Sequence, residues 1–381
     1  MAGIYLHIPF CKKRCIYCDF YSTTFGKEIR ERYVEALVHE LILRKCEVFN
    51  DTINTIYFGG GTPSLLSINE IGYLLSTIQK HYRVSQEAET TLEANPDDIT
   101  HTFSRDLIKL GVNRISLGIQ TFSSELLTFL NRRHTSAQAE NAVNVLHENG
   151  FNNISIDLIY GLPHQTLHQW TQDVTYALSL PITHLSSYAL SYEPGTKMKQ
   201  LLQKGEITPQ SDETLVQMYH ILNELTTQKG FCRYEISNFS LPNYYSRHNT
   251  SYWNFTPYIG VGCGAHSYDG KSTRRANLPN IKKYIESVSK KEDAPHSVEC
   301  LNQTERLEEY IMLSLRTAQG FSLKHIQTHC SPRTLQVLYR KMHTHQNQGH
   351  ATLTRDEYFC LTTAGIMIAD YIISDLLSTL D

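Results

Sequence analysis

No apolar run in the sequence approaches the ~20 residues that a membrane-spanning helix needs. The opening segment, Met1 to Cys11, has no basic stretch leading into an apolar one. Neither an integral membrane segment nor a secretory leader is expected, and the chain is expected in the cytoplasm. An excess of either charge is also missing: 35 Lys and Arg face 38 Asp and Glu, for a formal net charge of −3. Nucleic-acid binding generally shows as a basic stripe, so DNA and RNA are not expected as partners. A disulfide framework is lacking too, since the nine cysteines are odd in number and Cys46, Cys232, Cys263, Cys300, Cys330 and Cys360 stand singly. There is no internal repeat and no low-complexity tract.

What is present is apolar side chain enough for a large core, 41% of 381 residues, and a length that suggests two or three folding units at ~100–200 residues each. Short β-branched runs recur at 4–8, 53–58, 90–93, 114–119, 154–159 and 184–190. Helical spacing fills the intervals, as in Ile29, Tyr33, Leu37 and Leu41, which predict a helix over about 28–45. Six β-α alternations in about 190 residues argue a parallel sheet, doubly wound or curled into a whole or partial barrel. In either form the chemistry belongs at the C-terminal strand ends, where Cys11–Cys18, Gly59–Pro63, Glu93–Pro96 and Gln120 fall, with Asp157 in the second half of the fifth strand.

Cys11, Cys15 and Cys18 crowd three thiols into eight residues, a spacing that nine cysteines would produce by chance in about 0.005 of such chains. A metal site is expected. Structural zinc takes four protein ligands, and no second Cys-x-x-Cys exists, although His7 could serve as the fourth. On a four-iron cluster, three thiolates leave one iron without a protein ligand, open to a substrate or cofactor.

Cys-x3-Cys-x2-Cys after the first strand, with Gly-Gly-x-Thr-Pro after the second, resembles the radical S-adenosylmethionine (SAM) proteins. The wider resemblance, carried by Tyr5–Cys11, Tyr57–Pro63, Glu93–Pro96, Asn113–Gln120, Asn131–Arg132 and Ile156–Pro163, is to the coproporphyrinogen III dehydrogenase family and its HemW-type haem-chaperone branch. It implies a partial (βα)6 barrel followed by a smaller, mainly α, winged-helix-like C-terminal domain. It also implies a [4Fe-4S] cluster on Cys11, Cys15 and Cys18, and SAM contacts from Tyr5, Gly60, Gly61, Thr62, Glu93, Gln120, Arg132 and Asp157.

Two departures favour the chaperone branch: Phe20 stands where the dehydrogenase carries a fourth cysteine, and only ten residues precede Cys11. In the same direction, Arg247–Trp253 resembles the family's His-Asn-x-x-Tyr-Trp motif, which implies haem ligation by His248. The Gly260–Ser267 turn resembles a glycine-rich segment near the cofactor, with Cys263 or His266 as a remoter second ligand. The implied partners are haem or a porphyrin and an acceptor haemoprotein; whether haem binding forms a dimer is open, and porphyrinogen decarboxylation is the alternative activity. Expected extents are 1–200 for the barrel, 201–295 for the extension bearing the motif, and 296–381 for the helical domain, with 290–295 as a charged linker and 362–380 as a core helix.

Overall fold

The computed structural model describes residues 1–48 and 50–380. Six strands run parallel in sequence order: β1 Ala2–Ile8, β2 Ile53–Gly60, β3 Val84–Ala94, β4 Arg114–Gln120, β5 Ile154–Tyr160 and β6 His184–Ala189. Between them pack α1 Lys27–Arg44, α2 Ile68–His81, α3 His101–Lys109, α4 Ser124–Phe129, α5 Ser136–Glu148 and α6 Leu167–Ala177. The predicted stripe on α1 is realised, with Tyr33, Leu37 and Leu41 buried and Ile29 packed at the edge of the core. Capping boxes fix several helix starts, Ser67 with Glu70, Thr135 with Gln138 and Thr166 with Gln169, each satisfying amide N–H groups that the first turn leaves free.

Side chains alternate across a strand, and here the alternation separates two chemistries. Ile4, Leu6 and Ile8 of β1, and Ile56 and Phe58 of β2, join the apolar core with α1 and α2. The alternate positions, Tyr5, His7, Thr55, Tyr57, Glu89, Glu93, Arg114, Ser116, Asp157, His184 and Ser186, fall on the opposite face, the concave interior of the sheet. That interior is therefore polar and cross-bonded, Ser155 to His184 at 2.7 Å and Tyr57 to Glu93 at 2.8 Å, rather than filled with aliphatic side chains.

After β6 come α7 Lys197–Gln203 and α8 Asp212–Gln228, then a segment that extends the sheet at both edges. β7 Cys232–Arg233 and β8 Asn238–Ser240 add antiparallel beside β6. On the other side β9 Tyr258–Val261 pairs parallel with β1, followed antiparallel by β10 His266–Tyr268, β11 Thr273–Asn277 and β12 His296–Cys300. The stretch 201–295 is thus part of a twelve-stranded sheet. The charged segment 290–295 connects α10 Ile281–Ser289 to β12, so the sheet continues past the expected boundary.

The helical part begins with α11 Gln303–Ser314 and holds α12 Leu323–His329 and α13 Pro332–Asn347 beside a small sheet ordered β13 Phe321–Ser322, β15 Tyr358–Leu361, β14 Ala351–Leu353. The expected 362–380 helix is broken into α14 Thr363–Ile366 and α15 Ala369–Leu377, which buries Ile372, Ile373 and Leu376. The helical part meets the main sheet through Arg274–Glu309 at 2.7 Å, Glu309 being on α11, and the Ala318 N–H to Tyr234 carbonyl bond at 3.0 Å. Among the described residues no helix is long and apolar enough to cross a membrane.

Candidate functional site

The segment from Cys11 to Ser22 has no helix or strand, yet its ends are pinned. The Cys11 N–H donates to the Thr23 carbonyl at 2.8 Å, the Asn131 side chain donates to the Arg14 carbonyl at 2.9 Å, and the Met198 N–H donates to the Ile16 carbonyl at 2.8 Å. Ile16 is buried in an apolar cluster with Leu126, Leu130, Leu162 and Met198. One wedge of aliphatic packing therefore holds a loop whose cysteines stay partly accessible.

Those cysteines wall a cavity of about 410 Å³ at the C-terminal ends of the strands, together with Gly60, Gly61, Thr62, Glu93, Gln120, Arg132 and Asp157. Ten of the twelve residues expected from the sequence thus share one chamber. At Gly60, with φ +109°, a Cβ would stand 2.6 Å from the His7 ring; at Gly61 it would meet the Phe10 carbonyl oxygen at 2.8 Å. Only glycine lets the turn pass this close to the first strand and present bare backbone to the cavity. Gln120 also holds a left-handed φ of +74°, a strain of the kind that collects at binding sites.

Arg132 donates to Cys15 Sγ at 3.2 Å, to Asn95 Oδ1 at 2.6 Å and to the Gly118 carbonyl, while its buried Nε–H has no partner. Glu93 accepts from the Tyr57 hydroxyl at 2.8 Å and from the Gly60 N–H at 3.0 Å. Burial is the main influence on its carboxyl and raises the pKa to about 7. Asp157 is pushed up by the same desolvation, against a Ser116 hydroxyl at 3.3 Å. Burial also raises the Cys11 thiol and lifts Cys18 to about 11, so iron binding must displace protons. A cavity lined by two reluctant anions, a buried arginine with a free N–H and exposed backbone suits a ligand carrying both an ammonium and a carboxylate. Three thiols on one adaptable loop, with a cationic donor already at Cys15, suit a cluster with one open iron; among the described residues no trio of His, Cys, Asp or Glu side chains forms a finished single-ion site.

Asn95 was not among the expected contacts, although it lies within the quoted Glu93–Pro96 block; it joins Thr62 at 3.2 Å to Arg132. Tyr5 lies outside the cavity wall. Its hydroxyl is 3.1 Å from His7 Nδ1 and its ring stacks on Tyr57, so it supports the glycine turn from beneath.

His248 lies elsewhere as well. It is on α9 Arg247–Trp253, which covers the opposite end of the barrel: its Nδ1 is 2.8 Å from Thr55 Oγ1, its Nε2 is 2.9 Å from the Tyr252 hydroxyl, and Glu89 accepts from the N–H groups of Arg247 and His248. The ring is 1% exposed, and burial lowers its pKa to about 3. Each ring nitrogen thus lies within hydrogen-bond distance of a hydroxyl. The glycine-rich turn is structural, because Cys263 is buried against the Tyr33 hydroxyl and Gly262 N–H donates to the buried Glu40. His266 is exposed and lines no part of the cavity.

A parallel sheet carrying a three-cysteine loop and a glycine turn at its C-terminal edge defines a radical SAM protein, and residues 5–177 match the Radical SAM superfamily. The chain is 37% identical to the haem chaperone HemW of Bacillus subtilis (strain 168) over 85% of its length and 86% of that protein's. To the HemW of Synechocystis sp. it is 32% identical over 100% and 97%. The chain belongs to the HemW family. In fold it matches the Escherichia coli coproporphyrinogen III oxidase HemN, a radical SAM enzyme, with a TM-score of 0.82 at 20% identity, covering 100% of this chain and 90% of that one. Its superfamily cofactors are a [4Fe-4S] cluster and SAM.

Proposed function

We propose that this protein is a haem chaperone, which binds haem and passes it to an acceptor haemoprotein in the cytoplasm while carrying a SAM-ligated cluster. The observation that carries this reading is the likeness to HemW proteins, which for the Synechocystis sp. protein runs the full length of the chain, C-terminal segment included. Cys11, Cys15 and Cys18 would hold the cluster; Gly60, Gly61, Thr62, Glu93, Gln120, Arg132 and Asp157 would hold SAM, with Tyr5 acting through the wall. When bound, the pair supplies one-electron chemistry at a carbon–sulfur bond. The chain's own part is positioning. Glu93 and Asp157 offer acceptors to an ammonium or to ribose hydroxyls, and the free Nε–H of Arg132 offers a donor to a carboxylate.

The test is anaerobic reconstitution followed by haem titration at the Soret band and incubation with an acceptor apo-haemoprotein. One-to-one binding and transfer support the reading. No binding by the wild type, with turnover of coproporphyrinogen III, would replace it by the decarboxylase alternative. Sedimentation of the same samples reads whether haem pairs two chains.

A further inference from the structure

Arg114 opens β4, its side chain faces the barrel interior, and it is 1% exposed. Its Nε–H and Nη1–H groups have no hydrogen-bond partner among the described residues. Arg44, the other arginine buried this deeply, has Glu40 at 2.9 Å. A guanidinium taken out of water and out of contact is costly unless opposite charge surrounds it. The strand register supplies that charge. Arg114 stands opposite Thr91, and successive residues on one face of a strand are about 6–7 Å apart, so it lies one interior step from Glu89 on one side and from Glu93 on the other. Ser116, the next interior residue of β4, stands opposite Glu93 and bonds Asp157 at 3.3 Å. Of these three carboxylates Glu89 is already held by the N–H groups of Arg247 and His248. Glu93 and Asp157 line the cofactor chamber, whereas Arg114 does not.

We propose that Arg114 is a positioning residue of the SAM site: from beneath the chamber it keeps Glu93 and Asp157 ionised, ready for a cationic ligand, without touching that ligand. This rests on the assignment of both carboxylates to SAM in the reading above. Desolvation alone favours their neutral forms, and a protonated carboxyl has little to offer a sulfonium or an ammonium. Burial does raise both groups, and Arg114 is one of the influences that oppose it, beside the Tyr57 and Gly60 bonds at Glu93 and the Ser186, Ser116 and Arg132 contacts at Asp157. The tyrosines that face Glu93, namely Tyr5, Tyr57, Tyr188 and Tyr252, are all pushed up by burial. His184 and His248 are pushed down, by burial first and by the Arg114 charge second. None of these rings changes charge between about pH 6 and 9, so that window reads the two carboxylates.

The experiment is a calorimetric titration of SAM into the anaerobically reconstituted full chain across that window. SAM is the same against every variant, so its own ionisation cancels in the comparison. Arg114→Gln should weaken SAM roughly fivefold near pH 7 and move the rise of affinity with pH upward by about one unit. The loss should vanish toward pH 9, where the carboxylates ionise unaided and one repelling cation is gone. Arg114→Lys keeps the charge and should restore the wild-type midpoint. A loss by the same factor at every pH, or no loss, overturns the proposal, because a merely structural arginine would not move the profile. Glu93→Gln tests the assignment beneath it: unchanged SAM affinity there would remove Glu93 from the SAM site, whatever Arg114 does. Thermal melts and iron content are recorded for every variant. If Arg114→Gln does not fold or keep its cluster, Arg114→Gln/Asp157→Asn, which removes one charge of each sign, is compared with Asp157→Asn alone. The rise left by Glu93 should again lie about one unit higher, and an unmoved rise overturns the proposal.

Discussion

The hydroxyl of Tyr57 donates to Oε1 of Glu93 across 2.8 Å. The same tyrosine ring lies stacked on the imidazole of His248, with centroids 4.9 Å apart. A carboxylate in the cofactor cavity is thus two contacts from the helix that closes the other end of the barrel. The contacts run through interior positions of β2 and β3, which alternation removes from the apolar core.

Glu93 faces Tyr57, the Gly60 N–H, Asp157 and Arg114, and burial raises its pKa from 4.5 to about 7. The folded protein therefore binds this proton more tightly than the unfolded chain. The stability it contributes is complete below about pH 4.5 and is lost as pH rises through about 7. Glu93→Gln, which cannot ionise, is expected to make the cofactor-free protein more stable than the wild type by roughly 1–3 kcal/mol at pH 8, with the gap narrowing toward pH 5. SAM affinity should fall in the same variant by about tenfold. Thermal melts across pH and calorimetric SAM titration check the two halves; a gap that does not grow with pH removes the buried-carboxylate account.

His248 titrates in the opposite sense. Its folded pKa of about 3 lies below the ordinary 6.5, because burial and the Arg114 charge disfavour the imidazolium. Its contribution is present above pH 6.5 and is lost as pH falls toward 3. Replacing it with Gln should remove one proton from the pH dependence of unfolding, about 1.4 kcal/mol per pH unit in that window. At pH 7.5 the variant should be destabilised by about 1–3 kcal/mol, because Thr55 and Tyr252 lose a shaped partner. Denaturant melts at pH 7.5 and 5 measure both effects.

The six parallel strands and the cavity were legible because two periodicities and two glycine- and cysteine-dense motifs mark them directly. Cys11, Cys15 and Cys18 were close in sequence and needed no fold to bring them together. Gln120, Arg132 and Asp157 could be assigned to the cofactor only by family resemblance, since each is a single polar residue, Gln120 and Asp157 on strands and Arg132 in the loop between α4 and α5. β9 was missed: Tyr258–Val261 is four residues long, preceded by Trp253 and Phe255 and followed by glycines, and its pairing with β1 crosses more than 250 residues. The surroundings of His248 were illegible for a related reason. A histidine beside two aromatics does not show in sequence what packs around it, and the groups that hold it, Thr55 and Glu89, lie far off in the chain.

Arg132 connects a cluster thiol to the cavity wall. Its removal as Arg132→Met takes a cationic donor from Cys15 and leaves Asn95 Oδ1 without its donor. Outer partners of metal ligands commonly contribute about 10–100-fold to metal retention, and a loss in that range is expected when iron release to a chelator is followed. The reconstituted variant should also be harder to reduce, since a positive charge beside sulfur favours the reduced state; a spectroscopic redox titration reads this without any turnover assay. Arg132→Lys should recover part of the potential shift and little of the bond to Asn95, because an ammonium lacks the fork of the guanidinium.

The turn that resembled a cofactor loop carries its weight in stability instead. Glu40 is fully buried on α1 and accepts from Arg44 at 2.9 Å, the Asn277 side chain at 2.8 Å, the Gly262 N–H at 2.8 Å and the Tyr284 hydroxyl at 2.6 Å. Arg44, also buried, continues to the Gly260 carbonyl at 2.7 Å and the Ser267 hydroxyl at 2.9 Å. These bonds fasten β9 and its following turn to α1, and β9 is the strand that extends the barrel sheet beyond β1. Glu40→Ala leaves Arg44 with Glu47, at 2.7 Å, as its counter-charge and strips the acceptor from the buried Asn277, Gly262 N–H and Tyr284 donors, so it should cost about 3–5 kcal/mol. Removing both charges as Glu40→Leu/Arg44→Met avoids separating the pair, and its cost should be well below the sum of Glu40→Leu and Arg44→Met made singly, which with the wild type complete the cycle. Denaturant unfolding of the four proteins measures the coupling. Strictly additive losses would mean that the ion pair does not hold this edge of the sheet, and that packing of Tyr33, Leu37 and Tyr284 alone does so.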